Sequence, residues 1–382
     1  MRWLALASGS AVALALVAGL GLALPPDLPP VGPDELASIV SLGPWPPPAA
    51  RDASNRVSAR AEAAALGEVL FHSTRLSTVG GLRCASCHEP WRHFTDGRAR
   101  ALGAEAGARN TPSLLNVRLQ HWFGWDGAND SLWSQSIRPM LDVHEMRSDA
   151  AHVAQALRDD ETLKRLYARA FGHAPPADDE TALVDAGKAL AAYQETLVSE
   201  RTPFDAFRDA LVRGDGAAAQ RYPAVAQRGL RLFVGRGQCI ACHAGPNFSD
   251  GEFHRSSIVS TLHDGTRDSG RTLGLEKLLA SPYARNGRFN DEASAARAPA
   301  SQPAQAGAFR TPGLREVSAT APYMHDGSIA NLCDALQPHA TLEGRTMPPL
   351  TLAERRDVVA FLRTLSVQER AVLIDEDAMS CR

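Results

Sequence analysis

Apolar residues return at three- and four-residue spacing over residues 61–71, 151–171, 180–198, 224–233 and 352–365, and each stretch predicts a helix with one face turned to a core. Asp178 or Asp179 stands where the third would be capped, and Thr351 with Glu354 reads as a capping box for the last. Strict apolar–polar alternation is nearly absent, so the expected fold class is mainly α with long loops. Two stretches interrupt the helical pattern. Residues 25–55 carry Pro25, Pro26, Pro29, Pro30, Pro33 and Pro46-Pro47-Pro48, a lead-in that reads as incompatible with regular helix. Residues 293–308, full of Ala, Ser, Gln and Pro, read as a flexible surface loop. At the start, Arg2 precedes an apolar run over residues 3–24 that ends at Pro25-Pro26. Residues 1–24 read as an export signal cut after Gly21-Leu22-Ala23, with a retained membrane anchor as the alternative. Either places the rest of the chain outside the cytoplasm, in the periplasm.

Beyond the lead-in the pattern repeats. Leu70-Phe71 and Phe94-Thr95-Asp96-Gly97 bracket one segment as Leu232-Phe233 and Phe248-Ser249-Asp250-Gly251 bracket another. Thr111-Pro112-Ser113-Leu114, Val117, Asp126-Gly127 and Leu132 recur 200 positions later as Thr311-Pro312-Gly313-Leu314, Val317, Asp326-Gly327 and Leu332. Such register implies an internal duplication, giving tandem domains over residues 56–215 and 216–382. A chain of 382 residues has room for both.

A formal net charge of −3 argues against a nucleic-acid partner. The cysteines change the picture more. Four of the six fall in Cys84-Ala85-Ser86-Cys87-His88 and Cys239-Ile240-Ala241-Cys242-His243, the two bracketed segments. Each offers two thiols for thioether bonds to haem vinyl groups and an imidazole for the iron. A zinc ribbon or redox dithiol needs no adjoining histidine. Two covalently bound haems c are therefore expected, with His88 and His243 as iron ligands, in two cytochrome c-like domains. Cys333 and Cys381 remain, and an oxidising compartment permits a bridge between them. The duplicates differ at one telling place. Pro139 stands fourteen residues beyond Trp125, whereas His339 stands fourteen beyond His325. Proline cannot ligate iron, and histidine can.

Taken jointly, these motifs, with Arg109-Asn110-Thr111-Pro112, Trp125-Asp126-Gly127 and Thr320-Ala321-Pro322-Tyr323-Met324-His325-Asp326-Gly327, resemble the bacterial di-haem cytochrome c peroxidase family, in its MauG/MbnH-like branch. The resemblance runs over residues 61–365. It implies that His339 is the sixth ligand of the C-terminal haem, with Met347 as its rival. It implies that Glu145 is the acid–base carboxylate at the N-terminal haem, that Gln135 orients peroxide, and that Trp125 bridges the two haems. It also implies a calcium ion held by Asn110, Thr320 and Pro322. The family's blocking histidine is missing from residues 99–108, so the first haem is expected open to peroxide, with His93 and His121 as rival ligands. Asp142-Val143-His144 departs from the family pattern before Glu145, and His144 is a second candidate for the proton work.

The expected activity is oxidation by hydrogen peroxide, with the oxidising equivalents shared between the haems. The donor is either a tryptophan on a substrate protein or a small cytochrome or cupredoxin. The alternative is a non-enzymatic di-haem electron carrier, which would want both irons six-coordinate.

Overall fold

The structure, a computed structural model, describes residues 31–48, 50–292, 305–342, 345–346, 348–367 and 381. The apolar run over 1–24, the larger part of the expected loop at 293–308, and Met347 lie outside the described residues.

Helix α1 (Pro33–Ser41) lies inside the proline-rich lead-in, which corrects the expectation of no regular helix there. Pro33 occupies the first turn, where its absent N–H would have no intrahelical partner and its fixed φ suits the helix. Next come α2 (Ala61–His72), the four-residue α3 (Cys84–Cys87) and α4 (Leu132–Leu141). The one helix expected over 151–171 is two, α5 (Ala150–Asp159) and α6 (Glu161–Phe171). Asp160 divides them because its carboxylate accepts the Thr162 and Leu163 N–H groups and so starts a new helix. Asp178 caps α7 (Asp179–Gln194) through the Thr181 N–H. Then follow α8 (Pro203–Arg213), α9 (Gly216–Ala219), α10 (Ala224–Val234), α11 (Arg271–Ala280), α12 (Leu332–Ala335) and α13 (Leu352–Arg363). The last begins with the Thr351–Glu354 capping box that the spacing predicts.

The described strands make two small antiparallel ribbons. In one, β1 (Phe253–Arg255) pairs with β2 (Ala308–Arg310), so the end of the expected loop is strand. In the other, β3 (Thr341–Leu342) pairs with β4 (Arg345–Thr346).

Two apolar clusters organise the helices. The first gathers Leu66, Phe71, Trp133, Ile137 and Tyr167 from α2, α4, α6 and their neighbours. The second gathers Phe204, Phe233, Phe248 and Phe361, and α1 joins it through Ile39 and Leu42. The expected boundary between 215 and 216 falls behind α8, yet Phe204, Phe207 and Leu211 of α8 pack in the second cluster. Phe204 packs edge-on to Phe248 and to Phe361 of α13, Phe207 stacks on Tyr222, and α1 lies against the same helix.

The most extensive helix crossings in the two clusters are α2 on α7 and α10 on α13. Glycine stands at both contacts: a Cβ on Gly67 would run into the Ala189 carbonyl, and one on Gly229 into the Asp357 carbonyl. Loop conformations recur as well. Asn116 and Glu316 are left-handed at φ 62° and 61°, Gly127 and Gly327 at 65° and 64°. Phe123 bridges Asn129 just as Tyr323 bridges Ile329. Cys333 and Cys381 form a disulfide, with Cα atoms 5.3 Å apart, which ties the C-terminal tail to α12.

Candidate functional site

Helix α3 is a single turn, and it ends by presenting His88, whose N–H bonds back to the Cys84 carbonyl at 2.9 Å. The second motif repeats this, with the His243 N–H 2.9 Å from the Cys239 carbonyl. The imidazoles are then oriented by the motif that follows each cysteine pair. Phe94 and Phe248 are both left-handed, at φ 59° and 54°, which turns their carbonyls onto His88 Nδ1 and His243 Nδ1, each at 3.0 Å. With Nδ1 donating to a carbonyl, Nε2 is the free lone pair for a metal. Burial lowers the pKa of His88, and burial together with the nearby His339 lowers that of His243 to about 4, so both rings are neutral and ready to ligate.

The four thiols are unpaired. Burial pushes Cys84 up to about 12 and Cys87 and Cys239 up to about 11. Thiols this reluctant to ionise do not suit a redox dithiol. Cys242 lies beside Asp250 and His254, the one group of metal-ligand type among the described residues. A thioether at Cys242 withdraws its sulfur from that group, and the Asp250 carboxylate holds His254 at 2.8 Å.

A cavity of about 1020 Å³ opens between the halves, lined by Cys239, Cys242, His243 and His339. His339 Nδ1 is 3.0 Å from the Ala335 carbonyl, so its Nε2 is also free. The His243 and His339 ring centres are 6.3 Å apart. Two metal–nitrogen bonds of about 2 Å, plus the half-width of each ring, span that gap. The pair therefore fits one iron between two imidazoles. Trp125 stands on the wall of the same cavity, its Nε1–H donated to the Asn110 carbonyl at 2.9 Å. Asn110, Thr320 and Pro322 line it too, with the Asn110 Nδ2 donating to the Arg98 carbonyl at 2.8 Å.

Around the first motif the arrangement differs. Residues 99–108 pack there by their backbone: Leu102 O is 3.7 Å from Cys87 Sγ, and the Ala104 N–H bonds to Glu145 O at 2.9 Å. The Glu145 carboxylate accepts from Arg138 Nη2 at 2.6 Å and stands close enough to raise the pKa of Cys84, Cys87 and His88 by its charge. Partial burial pulls Arg138 down, but Glu145 and then Asp142 hold its pKa above the usual value. Gln135 accepts from Asn129 Nδ2 at 2.8 Å. Two of the three rival histidines are engaged elsewhere. His93 faces Glu316 at 3.7 Å, and His121 is exposed. His144 bonds to Glu105 at 2.9 Å and stacks on His263 at 4.3 Å, so it is occupied at the surface rather than shared with Glu145.

Sequence reasoning missed the two phenylalanine carbonyls and Arg138. The repeated Phe-x-Asp-Gly was visible, but its role lies in a left-handed backbone that no side chain announces.

The model of the di-haem cytochrome c peroxidase family matches residues 61–213. A methylamine utilization protein MauG from Methylorubrum extorquens is 35% identical over 326 residues, covering 82% of this chain and 81% of the relative. A cytochrome-c peroxidase, IdrP2, from Denitromonas iodatirespirans is 32% identical over 312 residues, covering 79% of this chain and 80% of the relative. The solved diheme peroxidase BthA from Burkholderia thailandensis shares the fold at TM-score 0.63 and 23% identity, over 85% of this chain and 94% of that one. With helices, paired haem-attachment motifs and relatives in agreement, the chain belongs to the di-haem cytochrome c peroxidase and MauG family and is a peroxidase-like oxidoreductase with two haems c.

Proposed function

We propose that this protein uses hydrogen peroxide at the N-terminal haem and stores one oxidising equivalent at a bis-histidine C-terminal haem, to oxidise a partner protein. Haem iron supplies peroxide cleavage and one-electron storage when bound. The carrying observation is an asymmetry. His243 and His339 face each other across 6.3 Å, while the register position of His339 in the first half is Pro139 and residues 99–108 offer no histidine. His243 and His339 would together hold one haem iron, whereas His88 would hold the other, with Glu145 near enough to act on it by charge.

Glu145 would serve as the acid–base group, accepting and returning a proton at its carboxylate when peroxide is held at that haem. Arg138 holds that carboxylate in place at 2.6 Å. Gln135 orients the peroxide. Trp125, fixed by its bond to Asn110 at the wall of the cavity between the halves, passes the electron between them. Asn110, Thr320 and Pro322, which line the cavity at the joint, would hold a calcium ion. The two halves are tandem copies of one domain, exported to the periplasm by residues 1–24. Nitrogen ligation of the second iron favours a tryptophan-bearing substrate protein over a small cytochrome or cupredoxin as donor, because it keeps the potential below that of a methionine-ligated haem.

Electron paramagnetic resonance of the resting ferric protein tests this. One high-spin and one low-spin haem, with spectral change on adding peroxide, is the expected result. Two low-spin haems with no response would return the protein to the electron-carrier reading.

A further inference from the structure

Four arginines are almost wholly buried around the joint and the second core, and two of them are paired with carboxylates. Arg315 is held by both oxygens of Asp205 at 2.9 Å. Arg208 pairs with Asp209 at 2.8 Å. Arg271 lies between the Trp122 and Phe253 rings, 4.3 and 4.2 Å from their centres, and donates to the Gly127 carbonyl at 2.7 Å; its Nε and Nη2 have no partner among the described residues, but it does not line the cavity. The fourth, Arg310, is 4% exposed and has no carboxylate partner among the described residues. Its side chain makes two long bonds to carbonyls, Nε to Gly124 and Nη1 to Thr311, each 3.3 Å.

A guanidinium in that state is costly to bury, because carbonyl dipoles offset only part of its lost hydration. Its compensation has to come from what it faces. Arg310 lines the cavity that contains Cys239, Cys242, His243 and His339. A haem seated there brings two carboxylates of its own, and an arginine fork matches a carboxylate in shape and charge. We infer that Arg310 takes a propionate of the C-terminal haem and fixes the segment of Trp125 against that haem.

The second half of the inference follows from the backbone. The Arg310 N–H donates to the Trp125 carbonyl at 2.9 Å, and the side chain reaches Gly124, the residue before it. One residue thus ties the bridging indole to the porphyrin edge. Burial already lowers its pKa to about 10, which agrees with a cation awaiting an anion. Arg310 is a positioning residue for electron transfer, and the inference rests on a C-terminal haem held between His243 and His339.

The test uses the haem-loaded protein with Arg310→Gln and Arg310→Lys, titrated spectroelectrochemically at several pH values. Removing a positive charge beside the porphyrin favours the ferric state. Gln should therefore shift the low-spin couple downward by about tenfold in equilibrium, about 59 mV for one electron. It should also make that potential pH-dependent near neutrality, where the released propionate titrates. Lys should restore most of the shift, and the low-spin spectrum should survive in both. Resonance Raman adds a second readout: the propionate bending band should move in the Lys variant even if the Gln variant fails to load haem. Unchanged potentials in a loaded Gln variant, or an unmoved band in the Lys variant, would overturn the assignment. Absence of any bis-histidine signal in the unmodified protein would instead overturn the underlying reading.

Discussion

His339 and Pro139 occupy one register position in the two halves, and the difference is chemical rather than steric. His339 is anchored by the Ala335 carbonyl and burial keeps it neutral, so nothing competes with a metal for its Nε2. His339→Ala should therefore turn the C-terminal haem high-spin, read by magnetic circular dichroism of the ferric protein; a spectrum that stays low-spin would name another ligand. Glu145→Gln keeps the shape of the side chain but removes the proton shuttle. Its peroxide-driven turnover should fall by about 10²- to 10⁴-fold, with both haems retained and resting spectra unchanged. The cysteines and their histidines were readable because haem attachment needs those residue types at fixed spacing. His339 stood out because the sequence repeat supplies a register against which to read it. Arg138 was not, since only the turn after α4 brings a residue seven positions away within 2.6 Å of Glu145.

At the scale of elements, the helix before each haem motif does the same work. It crosses a late helix of its cluster at a glycine and sends a phenylalanine, Phe71 or Phe233, into the core four residues on. A Cβ at Gly67 or Gly229 would meet backbone, which cannot step aside as a side chain can. Gly67→Ala and Gly229→Ala should each cost about 1–3 kcal/mol of stability. Denaturant midpoints, monitored by circular dichroism, check this; an unshifted midpoint would mean the crossing relaxes freely. Apolar periodicity located these helices, because burial of one face is a sequence-local demand. It misjudged two ends for local reasons. Pro33 begins a helix instead of preventing one, and Asp160 splits a continuous apolar stripe by capping within it.

Across the whole molecule, the joint between the halves is polar and ordered. Arg109 binds Asp126 at 2.6 Å and both oxygens of Asp268, at 2.7 and 2.8 Å, and lies over the Phe309 ring, linking first-half and second-half residues. The Asn110 N–H bonds to the His325 carbonyl at 2.8 Å, and Ala99 packs against Gly327. None of this was legible in the chain, because ion pairs between residues 159 positions apart leave no periodic trace. It bears on function, since Trp125 and Arg310 sit on the same joint. Burial alone would raise the Asp268 pKa, but hydrogen bonding and charge from Arg109 outweigh it and leave the carboxyl below its usual value. A carboxyl depressed in the folded state contributes stability that is fully present above its unfolded pKa, about 3.9. That contribution is lost as pH falls through the lower, folded value. Acid should therefore loosen the joint below about pH 4, and Asp268→Asn should remove that part of the pH dependence. The substitution should also cost about 1–3 kcal/mol at neutral pH, because Arg109 keeps Asp126 at 2.6 Å but loses two charge-assisted bonds to Asp268. Guanidinium unfolding of both proteins at neutral and acid pH measures each effect. If the two curves stay parallel through the acid range, Asp268 does not hold the halves together.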